Sequence, residues 1–168
     1  MGKELHDNTS TPALRLVNAI ESYAESDKGK SKSIYLLGDV NNVLELHEKR
    51  YAEINGNERP LLALNKTIPG CIGGYGWTGL LITDKAIYWR CLKDSFFASL
   101  VSIPVKGSIP LKELRNIKFG RQDACFGSSY IGHKLIINDS IIGLLRIGGN
   151  ATTDETAKNE LDTIFGAV

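Results

Sequence analysis

No stretch of this 168-residue chain approaches the ~20 apolar residues of a membrane helix. Its first residues, Met1-Gly-Lys-Glu-Leu-His6, lack the apolar core of a secretory signal, and His6 stands where a myristoylation pattern needs Ser or Thr. Charge of one sign is missing too. With 20 basic and 19 acidic side chains the net charge is +1, so no global field gathers nucleic acid or a membrane surface. Residues 1–57 carry 7 basic and 9 acidic groups (−2) and the remainder 13 and 10 (+3), so neither part is strongly polarised. Cysteine is scarce: Cys71, Cys91 and Cys125 are odd in number, lie at least 20 residues apart and form no C-x-x-C. That excludes a disulfide framework and fits reduced thiols in a cytoplasm. His6, His47 and His133 are solitary, at spacings that share no metal with another His, Cys or carboxylate. G-x-S-x-G does not occur. The expectation is a soluble cytoplasmic protein without metal or cofactor, and not an enzyme.

What is present divides near residue 57. Thr11-Pro12 predicts a helix start, a side-chain cap followed by a residue whose fixed φ suits the first turn. Leu14, Val17, Ile20 and Ala24 then recur at helical spacing up to the polar lysine–serine linker of residues 26–33. A second helix is predicted from about Asp39, carrying Val40, Val43, Leu44, His47, Tyr51 and Ile54 on one face and stopped by Asn55-Gly56-Asn57. Residues 1–57 thus read as a helical extension whose apolar faces need a partner, in cis or on a neighbouring copy.

From Glu58 the texture is that of strands. Runs rich in β-branched and aromatic residues occupy Leu61–Thr67, Leu80–Thr83, Ile87–Leu92, Phe97–Val105, Arg115–Gly120, Tyr130–Ile137 and Ile141–Ile147. Their connections are too short for helical crossovers, so the seven strands must be antiparallel, the last two joined by a tight turn at Asn138-Asp139-Ser140. Thr152 and Glu155 have the spacing of a capping box, and Ala157, Leu161, Ile164, Phe165 and Val168 form one helical stripe after it. The fold class expected is α+β, mainly β: a seven-stranded bent sandwich or partly open barrel with an amphipathic C-terminal helix plugging its open corner, preceded by N-terminal helices.

One segment carries a resemblance. Gly79-Leu-Leu-Ile-Thr-Asp-Lys-Ala-Ile-Tyr-Trp89 resembles the strand, Thr-Asp turn and aromatic strand of bacterial pleckstrin-homology-like domains and the related GRAM domains. Glu58 ahead of the first strand and Ile103-Pro104 ahead of a later one are similar to the same pattern, which spans residues 58–168. The resemblance implies the pleckstrin-homology superfold, a binding function and homo-oligomers.

Two glycine motifs mimic nucleotide loops. Gly74, Gly76 and Gly79 complete a G-x-G-x-x-G, but a pyrophosphate loop needs a helix after its glycines, and here Leu80-Leu-Ile-Thr83 continues as a strand. The glycines are expected to serve as hinge and turn between the first two strands. Ala24-Glu-Ser-Asp-Lys-Gly29-Lys30-Ser31 imitates a P-loop, with Ala in place of the first glycine and a helix instead of a buried strand before it. Cys125 and His133 can be imagined as nucleophile and base across a hairpin, although a buried inert thiol is the commoner fate of such a cysteine. Asp154-Glu155 suit a helix N-terminus.

The residue types that remain point to surfaces. Membrane-binding relatives hold lipid headgroups with cations around the first interstrand loop, which here spans about Ile68 to Thr78 and has no Lys or Arg. Lys66, Lys85, Arg90 and Lys93 are the nearest cations, and Trp77 is an aromatic suited to an interface. Phe96, Phe97, Leu100, Val101 and Ile103 would form a greasy strand edge open to pairing between copies. The sequence therefore suggests a non-catalytic binding or assembly module that forms homo-oligomers or docks another protein through strand edges and the helical extension. A peripheral adaptor for anionic membrane lipid is the alternative, and a nucleotide-using enzyme a third reading. Nucleic acid is not expected, since no basic stripe is interleaved with aromatics.

Overall fold

The computed structural model describes residues 11–26, 34–40, 57–69, 75–94, 103–123, 132–148 and 151–168, with side-chain detail for all of these except 65–69, 75–77, 121–123 and 151–152. Helix α1 runs Pro12–Glu25, its first turn capped by Thr11, whose side-chain oxygen accepts from Leu14 N at 3.3 Å. It buries Leu16, Ile20 and Tyr23. The face expected from the sequence, led by Leu14, is therefore rotated: Leu14 is 51% exposed, while Val17 and Ala24 sit at the margin of the core. The rotation follows from α1 having two partners, the sheet and the C-terminal helix.

The extension also holds a strand that the helical reading missed. β1, Ile34–Leu36, pairs antiparallel with β2, Pro60–Pro69, and buries Ile34 and Leu36 in the main core. Ile-Tyr-Leu after a polar tract was the available signal, a short run of residues that suit a pleated surface. Residues 38–40 are helical with Val40 fully buried; the rest of the predicted second helix lies outside the described residues.

β3 (Tyr75–Thr83), β4 (Ala86–Leu92), β5 (Pro104–Pro110), β6 (Ile117–Asp123), β7 (Gly132–Ile137) and β8 (Ser140–Leu145) complete one curled antiparallel sheet. Its order is β1-β2-β3-β4-β8-β7-β6, with β5 on the other side of β4. The fold is α+β and mainly β, an open half-barrel closed by a helix, as the pattern of runs implied. Two predicted boundaries move. The strand expected over Phe97–Val105 is described from Pro104 to Pro110, residues 97–102 lying outside the described residues, and the second strand begins at Tyr75 instead of Leu80. Gly76 and Gly79 are therefore strand residues, opposite Ile68 and Asn65, and not the hinge expected of them.

The sheet curls where β8 takes over from β3 as neighbour of β4, at Leu92↔Leu144. A Cβ on Gly143 would meet Leu92 O at 2.5 Å and Cys91 Cβ at 2.8 Å, so only glycine permits this close crossing. Inside the curl, Leu62, Leu64, Leu80, Ile82, Ile87, Leu135 and Leu145 meet the stripe Ala157, Leu161, Ile164 and Phe165 of α2, Ala151–Phe165. Phe119 on β6 stacks on Phe165 with ring centroids 5.6 Å apart. On the convex face, Val40, Ala63, Leu81 and Tyr88 form a second, smaller cluster.

The helix α2 does not start as expected. Thr152, expected before it as a cap, lies within it, with its side chain outside the described residues. Asp154 reaches back to accept from Ile147 N at 3.2 Å and Gly148 N at 2.8 Å, tying the helix to the strand exit before it.

Candidate functional site

Strands β3 and β4 meet in the Thr83-Asp84 turn, and Glu58-Arg59 locks it. Thr83 Oγ1 accepts from Ala86 N at 2.9 Å and donates to Glu58 Oε2 at 2.7 Å. Asp84 Oδ1 accepts from Arg59 N at 2.8 Å, and Asp84 N donates to Arg59 O at 3.0 Å. Tyr88 OH donates to the Glu58 carboxylate at 2.8 and 3.0 Å. Burial, this hydrogen bond and the Glu58 charge, in that order, push the Tyr88 phenol up to about 12. Glu58, Thr83, Asp84 and Tyr88 thus form a structural latch.

Beside the latch lies an apolar cleft of about 540 Å³, between α1, the β3–β4 turn and the 3₁₀ turn Leu111–Glu113. Ala13, Leu14, Val17, Pro110 and Leu111 supply its apolar wall, and Asp84, Lys85 and Lys112 its charged rim. Half-exposed Leu14 at the cleft is the price of the rotated α1 face. A volume in this range suits a small ligand or a side-chain cluster from a partner.

The residues singled out from the sequence do not converge. Lys85 and Lys93 stand at opposite ends of β4, roughly 25 Å apart along the strand. Lys85 Nζ donates to Asn57 O at 2.7 Å. Arg90 lies between them, opposite Gly79 on one side and Lys106 on the other. Lys66 and Trp77 fall on β2 and β3, opposite Thr78 and Thr67, and their side chains are outside the described residues. Of the proposed greasy edge, Phe96, Phe97, Leu100 and Val101 lie outside the described residues, whereas Ile103 is 45% exposed just before β5.

Like β1 and β6, β5 is a sheet margin that the described residues leave bonded on one side only, here to β4. Lys93 N donates to Ile103 O and Leu111 N to Lys85 O, which fixes the phase of this ladder. The inward-bonding positions are 103, 105, 107, 109 and 111, so Pro104, Lys106, Ser108 and Pro110 turn their backbone outward. The two prolines fall where their missing N–H costs the ladder nothing. Only Lys106 and Ser108 can donate from this edge.

One buried pair was not legible in the sequence, where each partner was seen alone. His133 Nε2 lies 2.5 Å from Asp154 Oδ2, and its Nδ1 lies 3.3 Å from Gly120 O. Both side chains are almost fully buried, so the pair pins α2 to β7. Their separation of 21 positions offers no motif spacing, and only the fold reveals the contact. Cys125, the candidate nucleophile across from His133, is outside the described residues. Cys91 is a free buried thiol, which burial pushes up to about 12, far from thiolate reactivity at neutral pH. Among the described residues no group of three or more His, Cys, Asp or Glu could hold a metal ion, and no helix is long and apolar enough to cross a membrane. No family model matches the chain, and no curated protein or solved structure matches it either.

Proposed function

We propose that this chain is a non-catalytic binding and assembly module of the pleckstrin-homology-like class. The half-barrel with its helical plug, the Thr83-Asp84 turn and Glu58 support the family resemblance. The observation that carries the binding reading is the apolar cleft beside Leu14, an open surface next to a rigidly latched turn. Exposed Ile103 at the start of the open β5 margin adds a second apolar contact for a copy of the chain. The acids Glu58, Asp84 and Asp154 do structural work, since all three are spent on internal hydrogen bonds.

Light scattering across the micromolar range tests the assembly part. A dimer or larger species that Leu14→Glu or Ile103→Glu shifts towards monomer is expected. A strict monomer at tens of micromolar rejects it. The lipid-adaptor alternative draws less support, because Lys85, Arg90 and Lys93 are spread along β4 and Lys66 lies on β2; co-sedimentation with acidic vesicles that weakens with salt would favour it.

A further inference from the structure

The register of β4 and β5 sets Arg90 directly opposite Lys106. Ile87, Trp89 and Cys91 point into the core, so alternation turns Arg90 to the convex face, beside Tyr88. Opposed residues on antiparallel neighbours have Cβ atoms about 5 Å apart, and like charges there disfavour each other. No carboxylate relieves them: among the described residues neither cation forms an ion pair. The acids nearby are committed elsewhere, Glu58 to Thr83 and Tyr88, and Asp94 to Lys134 at 3.3 Å. Arg90 Nε is moreover buried without a hydrogen-bond partner. A buried charged donor left unpaired is costly and therefore uncommon.

We propose that Arg90 and Lys106 form the seat of a phosphate-class dianion on the convex face of β4 and β5. A guanidinium can hold two oxygens as a planar fork, and Lys106 opposite it on β5 brings a second charge to the same strand pair. Two cations are balanced by a dianion, whereas a single carboxylate leaves one charge unopposed. A phosphate monoester, largely dianionic at neutral pH with a second pKa of about 6, meets that requirement. Gly79 on the far side of Arg90 presents no side chain to crowd the anion. The seat is independent of the assembly reading and stands if the chain proves monomeric.

The test is titration of the whole chain with inorganic phosphate and with glycerol 3-phosphate at constant ionic strength, chloride serving as control. The readouts are melting temperature and the amide NMR shifts of Lys106 and Ser108. A saturable rise of about 2 °C or more, absent in chloride, is expected. Lys106→Ala, a change at an exposed position, should weaken the phosphate effect at least about tenfold, as should Arg90→Lys, which loses the fork. No saturable effect of either anion, or a Lys106→Ala variant that binds within about twofold of the parent, overturns the seat. Vesicles of phosphatidylcholine with phosphatidate identify the source. Sedimentation abolished by Lys106→Ala points to a headgroup; phosphate binding without sedimentation points to a free ligand.

Discussion

At the scale of single residues, Glu58 is the group on which the latch depends, because one carboxylate serves two hydroxyls from different strands. Tyr88 has a folded-state pKa of about 12 against an ordinary value of 10.0. A raised value means that the folded state holds the phenol proton more tightly. Its contribution to stability is complete below pH 10 and is lost as pH climbs from there through about 12. Glu58→Gln removes the charge and weakens the hydrogen bond, so tyrosinate absorbance of Tyr88 should appear at lower pH and alkaline unfolding should begin earlier. An unchanged alkaline midpoint would count against the latch. Glu58 and Thr83-Asp84 could be picked out in the sequence as a pattern, but their mutual contact could not, because 25 residues separate Glu58 from Thr83. His133 and Asp154 were still less legible. Each was seen alone, one as a solitary histidine and the other as a helix-start carboxylate.

At the scale of elements, the β7–β8 hairpin was the best-read part. Asn138 and Asp139 have φ of 51° and 64°, the left-handed pair that a two-residue turn of this hand requires. Asn138 also works through its side chain: Oδ1 accepts from Arg115 N at 2.7 Å and Nδ2 donates to Glu113 O at 2.9 Å. The two positions should therefore respond oppositely to glycine. Asp139→Gly is expected to gain up to about 1 kcal/mol by relieving backbone strain. Asn138→Gly is expected to lose about 1 kcal/mol or more with its hydrogen bonds. Urea unfolding of both variants reads the signs. Elements misread in the sequence share one cause. The α1 face, the missing β1 and the continuation of β5 to Pro110 were all decided by tertiary neighbours, which composition and period cannot reveal. Pro104 and Pro110 stand at the two ends of β5, where both turn away from the ladder.

For the whole molecule, the N-terminal extension is part of the packing. Leu16 and Ile20 are fully buried in the main core, Arg15 Nε donates to Ala167 O at 2.9 Å, and Arg59 pairs with Glu21 at 2.6 Å. Burial first, then the Glu160 charge and its hydrogen bond, raise the Tyr23 phenol, a sign of how closely α1 meets α2. Ile20→Ala should cost about 2–5 kcal/mol and shift the unfolding of the sheet itself, followed by tryptophan fluorescence. A sheet that unfolds at the parent urea concentration would mean that α1 is a separate arm. The antiparallel architecture and helical plug were legible from run lengths and short connections; the in-cis docking of α1 was not, since an apolar stripe does not name its partner.

That contact between α1 and α2 constrains how the chain is made. Roughly 125 residues must leave the ribosome after Glu25 before Ala151 emerges, which takes on the order of ten seconds at ordinary elongation rates. Throughout that interval the newborn first helix has Leu16, Ile20 and Tyr23 without their final neighbours, and synthesis itself sets the time at which the fold can close.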